Sequence, residues 1–143
     1  MKHKILIPIF FLLFILSAQS QSYDFGKTKV FSSYNPGDTM SQDIKDYLNA
    51  LVTFLYANSN LNVSIVGFSD STGTPAEEQR TSENRAYKVQ QYIMSKGIEA
   101  YRISATGKAS TAPIADNSTP EGRAKNNRVE ISVIYNKEDN SNK

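Results

Sequence analysis

The stretch "LNVSIVGFSDSTGTPAEEQRTSENRA", residues 61–86, decides the fold. Its first residues alternate, with Leu61, Val63 and Ile65 on one side and Asn62, Ser64 and Val66 on the other, the period-two pattern of a strand with one buried face. Gly67 closes that run and "SDSTG" (69–73) reads as a loop. A helix start follows. Thr74 is placed to cap, Pro75 occupies the first helical position, where its missing N–H is not needed, and Glu77 can reach back to the cap. Ala86, Val89 and Ile93 then fall on one stripe, and Lys96-Gly97 supplies a glycine stop. A strand that feeds a helix in this way is the opening of a crossover unit, with the helix laid back on the sheet.

The flanking segments repeat the theme. "KTKVFSSY" (27–34) reads as a strand and "NPGD" (35–38) as a turn. A helix is predicted next, with Thr39 and Gln42 at capping-box spacing and Ile44, Leu48, Leu51, Val52 and Leu55 on its core stripe. After the central stretch, "YRISATG" (101–107) is a third strand. A polar loop leads to a short helix opened by Thr119-Pro120, and "RVEISVIY" (128–135) is a fourth strand, with Val129, Ile131 and Val133 set against Arg128, Glu130 and Ser132. The order is β-α-β-α-β-(short α)-β. This is an α+β chain with a mixed sheet and two helices packed on one face. The pattern leaves the strand order open.

The two ends differ from this body. Lys2 and Lys4, then "ILIPIFFLLFIL" (5–16), then Ala18-Gln19-Ser20 have the layout of a secretory signal peptide over residues 1–20, with cleavage expected before Gln21. Twelve apolar residues fall short of the roughly 20 that a membrane span needs. Residues 21–27 are expected to be a lead-in, 28–135 the domain and 136–143 a disordered tail. Of the 16 Lys+Arg, two lie in the leader, which leaves 14 to balance 14 Asp+Glu. A charge-balanced domain gives no reason to expect nucleic acid or an anionic membrane as partner, and the mature chain is expected to carry no membrane anchor of its own.

The absences constrain the chemistry. There is no Cys, and the only His is His3, in the leader. Thiol and Ser-His-Asp catalysis, and sites built on Cys or His metal ligands, are thereby excluded from the domain. No cofactor is expected. What remains is Asp70, just past the carboxyl end of a central strand, and Arg85, ten residues into the next helix. Three arrangements are open. Each can be an ordinary turn or flank residue; the two can pair, at about 0–1 kcal/mol if exposed; or they can face one ligand.

"GFSDSTG", "SENRAYKVQQYIMSKGI" and "PIADNSTPEGRAKNNRVEISV" together resemble the OmpA-like C-terminal domain, the peptidoglycan-binding module of outer-membrane porins, Pal lipoproteins and flagellar stator proteins. The resemblance covers about residues 28–135. It implies a β-α-β-α-β-β fold and non-catalytic, non-covalent binding of the peptidoglycan stem peptide at diaminopimelate, in the periplasm. The Asp of the family's "GHTD" motif falls on Asp70 and the Arg of its "RAxxV" motif on Arg85. The resemblance implies that these hold the ammonium and the carboxylate of the zwitterionic end, with Tyr34, Asn35, Thr72, Glu78, Ser82 and Asn127 as flanking positions. An exported protein of this kind is expected in the periplasm, held near the outer membrane through an envelope protein partner.

Several positions depart from the family pattern. Phe68 and Ser69 stand for the His and Thr of "GHTD", Glu78 for an Asn, Thr81 for a Leu, and Asn127 for the first Arg of "NRR". Glu78 adds a negative charge and Asn127 removes a positive one, and both weaken attraction for ligand carboxylates. The alternative reading is an OmpA-like protein-interaction module with weakened or lost peptidoglycan binding. A carboxylate hydrolase of wall sugar is the more distant rival.

Overall fold

The computed structural model describes residues 22–135. The expected leader, its cleavage point and the expected tail lie outside the described residues. The elements are β1 (Lys29–Ser32), α1 (Gln42–Ala57), β2 (Leu61–Phe68), α2 (Pro75–Ser95), a 3-10 turn (Ala100–Arg102), β3 (Ile103–Gly107), α3 (Pro120–Asn126) and β4 (Arg128–Tyr135).

The sheet order is β1-β4-β2-β3. The helical crossover through α2 makes β2 and β3 parallel. β4, arriving last, enters between β1 and β2 and runs antiparallel to both. The mixed sheet of the sequence reading is therefore present, and this order is what it left open.

One core lies on one face. Leu48, Leu51 and Leu55 of α1 and Ala86, Val89 and Ile93 of α2 pack with Val63 and Ile65 of β2 and Val129 and Ile131 of β4. The alternation read along residues 61–66 is the observed burial pattern. The other face carries Asn62, Ser64 and Val66, and at its end Phe68 pairs with Arg128.

Local physics accounts for the departures from expectation. β1 is shorter than residues 27–34, because Ser33 takes a left-handed φ of 56° and ends the strand. The cap of α1 is Ser41, not Thr39, so the predicted capping box does not form. Tyr101 and Arg102 lie in the 3-10 turn, which delays β3 to Ile103. There the buried Arg102 guanidinium donates to the carbonyls of Leu55, Asn58 and Leu61, joining the end of α1 to the start of β2. Arg128 lies on the less apolar sheet face as its alternation predicted, yet is only 2% exposed, with its guanidinium 3.8 Å from the Phe68 ring centroid. The described part of the lead-in packs on α1: Phe25 stacks on Phe54 at 4.8 Å and Tyr23 meets Tyr47 edge-on at 5.2 Å.

Two glycines set how closely α2 can approach the sheet. A Cβ on Gly67 would sit 1.9 Å from the Ser82 carbonyl oxygen, and one on Gly107 would sit 2.4 Å from the Glu83 nitrogen. The obstructing atoms are backbone, so no side-chain rotation relieves the clash. Gly67→Ala is expected to lower stability by about 3 kcal/mol, the upper end of overpacking costs, with a matching fall in the denaturant midpoint at unchanged m-value.

Candidate functional site

The site forms where α2 returns over the end of β2. The capping box expected at its start is complete: Thr74 accepts from the Glu77 amide at 3.3 Å, and Glu77 accepts from the Thr74 amide at 2.8 Å. A fixed start and the close approach at Gly67 together bring Arg85 over the strand it has just left. Its Nη1 donates to the Phe68 carbonyl at 2.9 Å, and its Nε donates to the Tyr34 carbonyl at 2.6 Å. Arg85 is 4% exposed.

No ion pair joins Arg85 to Asp70 among the described residues. The direct salt bridge that the sequence allowed is absent. The two groups nevertheless feel each other. Burial lowers the proton affinity of Arg85, while the charge of Asp70 raises it. Nη2 of Arg85 has no hydrogen-bond partner among the described residues. Two hydroxyls, of Tyr34 and Ser69, are wholly buried without partners. Burial pushes the Tyr34 phenol up, against the pull of Arg85.

Asp70 is held on three sides. Its Oδ1 accepts from the Thr72 amide at 3.0 Å and from the Thr72 hydroxyl. Its Oδ2 accepts from the Asn127 side-chain amide at 2.6 Å. The Asp70 backbone N–H donates to Asn127 Oδ1 at 3.0 Å, so one carboxamide grips both ends of the residue. Desolvation opposes ionisation, but the hydrogen bonds from Thr72 and Asn127 and the Arg85 charge outweigh it, and the carboxyl lies below its ordinary 3.8.

Around these residues lies a cavity of about 460 Å³. Of the positions singled out from sequence, Asp70, Arg85, Tyr34, Asn35, Thr72, Glu78 and Asn127 line it. Ser82 does not. It is fully buried under α2, where its hydroxyl donates to the Gln79 carbonyl and accepts from the Ala109 amide, so its part is structural. Phe68 turns its ring to Arg128 and offers the site only its carbonyl. Sequence reasoning missed Glu77, Thr81 and Ser69 as lining residues, along with Ser33, Gly73 and Ala124. It also missed that Asn127 is the partner of Asp70: they are 57 residues apart, and no local spacing signals the bond. Among the described residues no group of three or more potential metal ligands forms.

The fold defines a class, and comparison with known proteins agrees with it. The family model for the OmpA family matches residues 34–127, and the chain belongs to the OmpA family. It is 51% identical over 69 residues to outer membrane protein A of Bordetella avium, covering 48% of this chain and 36% of that protein. It is 38% identical over 99 residues to the peptidoglycan-binding protein ArfA of Mycobacterium bovis, covering 69% and 30%. The chain thus spans about a third of the length of these relatives. The periplasmic domain of Helicobacter pylori MotB superposes with a TM-score of 0.65 at 28% identity, over 84% of this chain and 83% of that one. No helix among the described residues is long and apolar enough to cross a membrane.

Two outcomes are expected. Because its folded value is depressed, Asp70 contributes stability that is fully present above about pH 4, its ordinary range, and is lost as pH falls through the lower folded value. Acid unfolding of Asp70→Asn, followed by circular dichroism, should therefore lack part of the wild-type loss below that pH. Asn127→Ala should raise the titration midpoint of Asp70 toward its ordinary value, read by carboxyl NMR shifts.

Proposed function

We propose that this domain binds peptidoglycan without catalysis, taking the zwitterionic end of diaminopimelate in the stem peptide. The observation that carries this is the buried, unpaired guanidinium of Arg85. Two carbonyls satisfy part of its hydrogen-bonding capacity, and Asp70 offsets its charge only across space, so the buried cation lacks a contacting anion. A ligand carboxylate at Nη2 removes that deficit. Asp70 supplies the opposite pole. A carboxylate has about four lone-pair sites, and the three bonds from Thr72 and Asn127 leave room for one ammonium N–H. The naming of ArfA as peptidoglycan-binding supports peptidoglycan as the polymer bound. The domain acts after export to the periplasm and stays near the outer membrane through an envelope protein partner.

One observation favours the second reading, a protein-interaction module. The cavity is lined by three carboxylates, Asp70, Glu77 and Glu78, against one guanidinium. Co-sedimentation of the purified protein with isolated sacculi separates the readings. Each charge-assisted bond contributes about 1.5–3 kcal/mol, so Arg85→Ala and Asp70→Asn are each expected to weaken binding at least tenfold. Sedimentation indifferent to both substitutions refutes the site; no sedimentation of the wild type favours the interaction module. Released muropeptides on prolonged incubation would point instead to the hydrolase.

A further inference from the structure

We infer that Glu78 makes the site selective for stem peptides whose acid next to diaminopimelate, the D-glutamate α-carboxyl, is amidated. This deepens the peptidoglycan reading and rests on it.

The argument is one of charge and of spare hydrogen-bonding capacity. The three cavity carboxylates are not equivalent. Glu77 serves the cap of α2, its Oε2 accepting from the Thr74 amide and hydroxyl at 2.8 Å each, and the charge of Arg80 bears on it. Asp70 is held by Thr72 and Asn127 and faces Arg85 electrostatically. Glu78 has a single neutral partner: its Oε2 accepts from the Ser110 hydroxyl at 2.5 Å, on the loop after β3. That contact fixes the carboxylate at the wall of the cavity without neutralising it, and its Oε1 has no partner among the described residues. No lysine lines the cavity, and Arg85, the one cation there, is assigned to the zwitterion.

A free-acid stem peptide brings further carboxylates besides the one paired with Arg85. In this cavity they meet Glu78 and no second cation, since Asn127 is neutral and already committed to Asp70. A carboxamide in their place removes the like-charge repulsion and offers N–H donors to the open oxygen of Glu78. The same residue thus repels one form of the ligand and accepts the other, which is how a single side chain yields selectivity.

The test is titration calorimetry of the intact protein with two synthetic tripeptides, L-alanyl-γ-D-glutamyl-diaminopimelate with the D-glutamate α-carboxyl free or as its primary amide. The wild type is expected to bind the amide about fivefold or more tightly, the size of one screened like-charge contact. Glu78→Gln should bring the ratio to about one, chiefly by improving the free acid, and Glu78→Lys should reverse it. The preference should shrink with added salt. Equal binding of both peptides by the wild type, or a preference that survives Glu78→Gln, overturns the selectivity and leaves the peptidoglycan reading standing. Binding of neither peptide overturns both.

Discussion

The guanidinium of Arg85 is the constraint on which the rest of the site depends. It lies almost wholly out of water, and its two protein bonds go to main-chain carbonyls from different parts of the chain. Tyr34 follows the edge strand β1 and Phe68 ends the central strand β2, so one side chain of α2 ties the exits of two strands together. Carbonyls orient a guanidinium without cancelling its charge. Arg102 and Arg128 are buried too, but each has an acidic neighbour, Glu99 at 3.9 Å and Glu130 at 2.8 Å. Arg85 makes no such ion pair among the described residues, feels Asp70 only across space, and faces a cavity.

The sheet order supplies the opposing group. Because β4 enters between β1 and β2, the turn that joins α3 to β4 lands beside the loop after β2. Asn127 sits in that turn and binds Asp70 through both its backbone and its carboxylate. The same turn receives the chain leaving β1, through the Tyr34 amide bonded to the Asn127 carbonyl at 3.1 Å. Three segments distant in sequence thus meet at one point, and the glycine contacts under α2 hold the helix near enough to close the arrangement.

Elements that rest on short-range chemistry were legible in the sequence. Thr74, Pro75 and Glu77 specify the start of α2 through neighbours within one turn, and the stripe of Ala86, Val89 and Ile93 specifies its buried side. Asp70 and Arg85 were legible as a pair only through resemblance, since their physics allowed three arrangements. What could not be read depends on long-range contact. The burial of Arg102 requires carbonyls from α1 and β2. The burial of Arg128 requires Phe68 and the Ala112 carbonyl at 2.9 Å. Phe68 stood out as a departure within the binding motif, yet alternation along β2 turns its ring to the far side of the sheet, away from the cavity. Glu78 was legible as an added charge but not as one held in place by Ser110.

The pair of hydrogen bonds between Asn127 and Asp70, one donated by each residue, also bears on how a ligand would be received. A loop carboxylate left to itself samples many rotamers, and freezing it on binding carries an entropic cost. Here that ordering takes place during folding, because the carboxamide is itself set by the sheet register. The acceptor is poised before any ligand arrives. A partner that fits would then be distinguished from one that does not by how slowly it leaves, more than by how quickly it arrives.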